Sequence, residues 1–198
     1  MSQEILIFDL GRAEVLSGAP KGQMFFGRLV SSVRPEPEPC QLFLNFAGVH
    51  LMTSSFFRES ILPFRDYAIE KLKLYPVLAN VSDDTLDEIK VVLEPIRDAV
   101  ILCTLRGGRV SNARLFGILE DKQQLTLEAV LRQKETDAGL LKKQADDAAK
   151  KRRSSEEKIS ITGWNNRLAA LVAKGLLIET KRGRGKLYRP VLEFSYGQ

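Results

Sequence analysis

The sequence is poor in the residues that build metal centres and nucleophilic active sites. It contains one histidine, His50, and two cysteines, Cys40 and Cys103, which lie far apart and beside aliphatic residues. A zinc site or a histidine-based triad needs more ligands or bases than this, so neither chemistry is supported. We expect the cysteines to be small buried hydrophobic residues rather than a disulfide. No nucleophile, base and oxyanion donors converge, so we expect no enzyme, no metal and no cofactor.

Long hydrophobic runs are also missing. No apolar run approaches the roughly 18–20 residues that cross a bilayer. The start, MSQEILIF, lacks the basic residues and long apolar stretch of a secretory signal. We therefore expect a cytoplasmic protein with no membrane partner. Because domains usually hold about 100–150 residues, we expect the 198 residues to form two domains, residues 1–120 and residues 121–198.

Charge is distributed unevenly between these two segments. Residues 1–120 contain 13 Lys and Arg against 15 Asp and Glu, whereas residues 121–198 contain 17 against 10. Such segregation indicates a polyanion partner for the basic segment, either nucleic acid or an anionic membrane surface.

The first segment alternates short apolar runs with stretches of helical period, which is typical of an α/β fold with a mixed sheet. The predicted order is β-β-α-β-α-β-α-β-β. Residues 5–8 and 13–16 are predicted to form a hairpin, and a helix over residues 22–33 is ended by the prolines of residues 35–39. Residues 53–55, Thr-Ser-Ser, are predicted to cap the next helix, with Pro63 kinking it.

The stretch over residues 44–56, LNFAGVHLMTSSF, resembles the signature of STAS-like domains, the fold of anti-sigma-factor antagonists. In that family a phosphorylated serine or threonine lies at the N-terminus of the helix. The resemblance implies that Thr53, Ser54 and Ser55 form a regulatory loop with Ser55 at the phosphoacceptor position. Asn45 and Thr53 stand where the family often has acidic residues. The alternative is that Thr53 and Ser54 only cap the helix.

The second segment has a different pattern, with three helices and then two short strands. The helices are predicted near residues 127–131, 137–151 and 160–174, and the strands flank the Lys181-Arg-Gly-Arg-Gly-Lys186 turn. The residues at helical spacing on the predicted packed face of the third helix are Ile161, Trp164, Leu168, Leu171 and Val172.

Polar residues of the third helix are predicted to face outward. Gly163, Asn166, Arg167 and Ala170 form the predicted outer side, with Thr162 and Asn165 at its N-terminal border. Asparagine can bond adenine, and arginine can bond guanine, in the major groove. Four basic residues of the turn are predicted to contact phosphates: Lys181, Arg182, Arg184 and Lys186.

The pattern over residues 165–189 resembles bacterial winged-helix transcription regulators. It has a leucine stripe, a Gly175-Leu176 step and a basic wing containing glycine. The resemblance implies a winged helix-turn-helix over about residues 125–190. The sequence departs from the family pattern at residues 149–158, which we interpret as an insertion between the second and third helices. The charges of the wing could instead solvate a winged helix used for protein contacts. The basic run of residues 150–153 fits a solvated linker as well as a phosphate contact.

These patterns lead to one main hypothesis and one alternative. The main hypothesis is a regulatory protein, acting as a homodimer, whose STAS-like domain senses a signal or partner and whose winged helix binds double-stranded DNA. The alternative is an adaptor or antagonist that binds an ATP-binding regulatory kinase through the STAS-like domain and does not bind DNA.

Overall fold

A mixed α/β architecture surrounds one five-stranded sheet in the computed structural model, which describes residues 2–152, 159–183 and 185–194. In spatial order the strands are β1 (Gln3–Leu6), β3 (Cys40–Asn45), β5 (Leu74–Ala79), β6 (Ala99–Arg106) and β7 (Arg109–Gly117). The first four are parallel, and β7 runs antiparallel to β6 at one edge. The predicted mixed sheet is therefore present.

Helices connect the parallel strands. They are α1 (Ile7–Gly11) and α2 (Ala19–Ser32) before β3, α3 (Ser54–Glu59), α4 (Ile61–Tyr67) and a π-helical turn (Ala68–Leu72) before β5, and α5 (Asp83–Leu93) before β6. Ser82 caps α5, because its hydroxyl accepts a hydrogen bond from the Thr85 N–H over 3.4 Å.

The predicted hairpin at the N-terminus is wrong. Only residues 5–6 of the first run lie in β1, which pairs with β3, because residues 7–8 begin helix α1. The second run ends in the short strand β2 (Val15–Leu16), which pairs in parallel with β4 (Leu51–Met52). The intervening residues include helix α1 rather than a tight turn, so the two runs take partners that are distant in sequence.

The predicted kink at Pro63 is a break in the helix. Helix α3 ends at Glu59, and α4 begins two residues later at Ile61. Pro63 has no N–H to donate to the carbonyl of Glu59, and its ring crowds that carbonyl, so a continuous helix is disfavoured. The buried Ser60 hydroxyl instead donates to the carbonyl of Phe56 over 2.6 Å.

The C-terminal segment has the predicted order of three helices and a hairpin. It contains α6 (Asp121–Gln133), α7 (Ala138–Arg152), α8 (Ile161–Ala173), β8 (Leu177–Arg182) and β9 (Gly185–Pro190). Strands β8 and β9 pair antiparallel. A bridge between Thr136 and Tyr188 ties the α6–α7 connection to β9, with N–H to carbonyl distances of 2.9 and 2.8 Å.

Buried side chains form two hydrophobic clusters, one on each face of the sheet. Alternation along β6 divides its residues, because Val100 and Leu102 belong to the first cluster while Ile101 and Cys103 belong to the second. Helices α2 to α5 cover the first face, and α6, α8 and the β8–β9 hairpin contribute to the cover of the second. One hydrophobic cluster therefore contains residues from both segments of the chain.

Polar contacts join the same two segments. The Gln41 side chain donates to the carbonyl of Val191 over 2.8 Å, and Lys174 donates to the carbonyl of Arg97 over 2.8 Å. A Cβ on Gly175 would meet the Ile69 side chain at 3.0 Å, so α8 ends close against the π-helical turn. The division at residue 120 stays a prediction, and these contacts link its two halves.

Candidate nucleic-acid interface

Helix α8 carries most of the side chains that were predicted to read bases, and both of its ends are defined by the sequence. At its start the Ser160 hydroxyl accepts from the Gly163 N–H over 3.0 Å. At its end Gly175 adopts φ +74°, and hydrogen bonds run from Gly175 N–H to Val172 and from Leu176 N–H to Leu171. This is the Schellman motif, which favours glycine because a side chain is strained at that φ.

The buried side of α8 sets its rotation about its own axis. Trp164, Leu168 and Leu171 are buried in the second cluster, as predicted. Ile161 was predicted on the same side, and that prediction is wrong, because its side chain is 52% exposed. It occupies the first position of the helix and lines the open groove beside the start of α7.

The outward side of α8 carries uncharged polar groups. Thr162, Asn165, Asn166 and Ala169 are exposed. Arg167 was predicted among the outward residues but is only half exposed, and its guanidinium carbon lies 5.3 Å from the centroid of the Trp164 ring. Gly163 and Ala170 are likewise half-buried, so the exposed face is rotated from the predicted one towards Asn165 and Ala169.

The hairpin places cations beside this face. Lys181 lies opposite Lys186 across the two strands, and Arg182 lies opposite Gly185. All three cations are exposed, and Gly183 takes φ +60° in the turn. The fourth predicted cation, Arg184, lies outside the described residues.

An open groove runs between α8, the hairpin and the start of α7. Asn165, Asn166 and Ala169 line it from α8, and Arg182 and Lys186 line it from the hairpin. Lys181 instead lines a second groove, between the hairpin, α8 and the first segment. Thus two predicted base-reading amides and two predicted phosphate-binding cations share one concave surface.

The charges in this region are only partly neutralised. The Lys186 ammonium forms an exposed ion pair with Glu179 at 3.0 Å, while Arg182 has no ion pair within the described part of the chain. Burial, together with the neighbouring Glu179 carboxylate, raises the pKa of Tyr188 to about 12, so its phenol stays neutral at physiological pH.

The predicted regulatory loop lies at the start of α3. Thr53 occupies the N-cap position, but its side chain makes no capping bond, and its hydroxyl lies 3.2 Å from that of Ser55. The Ser54 N–H donates instead to the Glu88 carboxylate over 2.6 Å. A carboxylate therefore already occupies the helix terminus where a phosphate on Ser55 would add further negative charge. Asn45 is buried and donates to Glu4 over 2.7 Å.

A buried charge cluster at the end of α8 was not anticipated. Asp98 is 5% exposed and pairs with Arg65 at 2.8 Å and with Lys174 at 3.2 Å, while its carboxylate also accepts from the Ala99 N–H. These residues are far apart in sequence, and no local spacing relates Asp98 to Lys174. The cluster anchors the C-terminal end of α8 to the loop before β6.

The remaining chemistry of the described residues is sparse. They include no group of three or more His, Cys, Asp or Glu side chains placed to hold a metal ion. Burial raises the pKa of the Cys103 thiol to about 11, which disfavours the nucleophilic thiolate. None of the helices in the described ranges has the length and apolar character required to span a membrane.

Comparison with known proteins finds no relative for the chain: no protein-family model matches it, and no curated protein or solved structure shows significant similarity.

Proposed function

We propose that this chain is a DNA-binding regulatory protein, in which a STAS-like sheet segment receives a signal or a protein partner and a C-terminal winged helix binds duplex DNA. The shared groove supports this proposal most directly. Hydrogen-bonding amides on α8 and cations on the adjacent hairpin open onto the same surface. Duplex DNA offers both kinds of partner side by side, since phosphates flank the base edges of the major groove.

The two parts of the groove would perform different tasks. The exposed side of α8 would enter the major groove with Thr162, Asn165 and Asn166 near the bases. Arg182 and Lys186 would contact the sugar-phosphate backbone, which fixes orientation and supplies affinity that depends on salt. Two copies in a homodimer would place two α8 helices on half-sites about one helical turn apart.

The sheet segment would supply regulation through its packing against the DNA-binding part. Side chains of β5 and β6 share the second hydrophobic cluster with Trp164 and Leu168 of α8. A partner that shifts these strands would therefore also act on α8, because packed interiors are hard to compress and transmit strain.

Salt-dependent DNA binding tests the proposal. The full-length protein should bind a mixed-sequence duplex at low salt in fluorescence anisotropy, with affinity that falls steeply as salt rises. Arg182→Ala should weaken binding to all sequences and reduce the log–log salt slope by about 1, because one phosphate contact is lost. Lys186→Ala should act in the same direction but less strongly, because Lys186 already pairs with Glu179.

A matched variant distinguishes the loss of a phosphate contact from a general loss of positive charge. Arg106 is an exposed cation at the end of β6, so Arg106→Ala removes the same charge at a site outside the groove. It should leave both affinity and salt slope unchanged. The proposal fails if the wild-type protein does not bind duplex DNA at about 50 mM salt, or if the Arg182 and Arg106 variants behave alike.

A further inference from the structure

Building on the proposed function, we infer that α8 reads A·T base pairs rather than G·C base pairs. Asn165 and Asn166 of α8 line the groove, whereas Arg167 does not. A preference for A·T pairs goes beyond DNA binding as such, since phosphate contacts alone carry no sequence information.

The face of α8 that opens to the groove has no charged side chain. Arg167 is the single ionisable residue between Ile161 and Ala173, and it is half-buried against the Trp164 ring at 5.3 Å. The cations of the region lie on the hairpin. The base-reading helix therefore presents amide, hydroxyl and methyl groups.

These groups match the edges of an A·T pair in the major groove. Adenine presents an N7 acceptor beside an N6 donor, and the asparagine amide carries one donor and one acceptor that complement both. Thymine presents a methyl group, which apolar side chains contact. Asn165 and Asn166 supply the amides, while the exposed Ile161 and Ala169 next to them in the groove supply apolar contacts.

Guanine fits the same face less well. It presents two acceptors, N7 and O6, and the commonest reader of this pair is the two-donor fork of arginine, with lysine as a second choice. Arg167 would have to leave the face of Trp164 and swing towards the groove to act in this way. An asparagine amide can donate to one guanine acceptor, but its own oxygen would face the other.

The test is a selection of bound duplexes from a random pool at physiological salt, followed by base-analogue substitution in the selected site. We expect the selected site to be rich in A·T pairs at the positions that face α8. Replacing one contacted adenine by 7-deazaadenine removes the N7 acceptor and should weaken binding by about 5- to 150-fold. Replacing thymine by uracil at those positions removes the methyl group and should weaken binding by a smaller factor.

Variants of α8 connect the analogue effects to particular side chains. Asn165→Ala or Asn166→Ala should weaken binding to the selected site, and one of them should abolish the penalty of 7-deazaadenine at its own position. Arg167→Ala should leave the selected sequence unchanged. Alanine is a good helix former, and both asparagines are exposed, so circular dichroism should show an intact fold.

The outcomes distinguish this inference from the proposed function. A selected site dominated by G·C pairs, with a 7-deazaguanine penalty that Arg167→Ala removes, would overturn the inference and leave DNA binding in place. Equal binding to all sequences would also overturn it alone. Failure to bind any duplex would overturn the proposed function, and the inference with it.

Discussion

The two faces of the central sheet are covered by different parts of the chain. Helices α2 to α5 cover the first face, and they lie between the strands in sequence. The second face is covered mainly by α6, α7, α8 and the hairpin, which follow the last strand of the sheet. The second cover also carries the groove proposed to bind DNA. The candidate interface therefore lies on the outer surface of elements that pack on a hydrophobic core shared by both segments of the chain.

Loss of the buried carboxylate of Asp98 should destabilise the protein more than the other changes considered below. Asp98→Asn removes the carboxylate that neutralises both Arg65 and Lys174, at a site 5% exposed. Removing one partner of a buried ion pair typically costs about 3–5 kcal/mol, because the remaining charge stays buried without compensation. Chemical denaturation should show a loss of this size in the free energy of unfolding.

Asp66→Asn is the matched control, because Asp66 pairs with the same arginine at 2.9 Å but is 59% exposed. Exposed pairs contribute little, so this variant should lose less than about 1 kcal/mol. Equal losses in the two variants would contradict the claim that Asp98 is the anchor of α8.

Cooperativity between the faces can be measured with the single tryptophan of the chain. Trp164 lies in the second cluster, while Leu44 is fully buried in the first. Leu44→Ala should destabilise the protein by about 2–5 kcal/mol, because it removes buried apolar surface and leaves a cavity. If the faces unfold as one unit, this variant should shift the Trp164 fluorescence transition as far as the circular dichroism transition.

If the two segments are independent domains, as predicted from the sequence, the fluorescence and circular dichroism transitions of Leu44→Ala should separate. Independent domains would leave the Trp164 transition at its wild-type denaturant concentration while the dichroism signal of the first segment moves. Leu168→Ala, in the second cluster beside Trp164, serves as the reciprocal variant. If the two segments share one core, Leu168→Ala should shift both the fluorescence and the circular dichroism transitions. If they are independent domains, it should shift only the fluorescence transition.

Local pattern was enough to predict most elements of this fold. Three helices followed by the hairpin β8–β9 were predicted in the C-terminal segment, although α6 begins at Asp121 rather than near residue 127. These elements have short-range signals, namely glycine turns, caps and helical spacing. The location of Asn165, Asn166 and Arg182 in one groove depends on tertiary packing, which these local signals do not specify.

Long-range packing explains what was missed. Strands β1 and β2 take distant partners, and no local pattern specifies which strands pair. Helical spacing identified an apolar stripe on α8, but the half-buried position of Arg167 depends on the Trp164 ring beside it. One signal of the shared core was present in the sequence. Strand β5 is buried along its whole length without alternation, which is typical of a sheet covered on both faces.

The ion pair between Glu179 and Lys186 in the hairpin should affect DNA binding only slightly. Glu179 holds the Lys186 ammonium at 3.0 Å and places a carboxylate near the groove. Glu179→Gln removes that negative charge and leaves Lys186 free for a phosphate. Exposed ion pairs are worth about 0.2–1 kcal/mol, so DNA affinity should rise by up to about 5-fold, with a steeper salt slope.

Glu94→Gln is the control for net charge, because Glu94 forms an exposed ion pair with Lys90 on α5, under the other face of the sheet. It changes the total charge by the same amount and should leave DNA affinity as it is. If both variants raise the affinity equally, net charge rather than Lys186 controls binding. If neither raises it, Lys186 does not lie near a phosphate, and Arg182 is left to supply the hairpin's contribution.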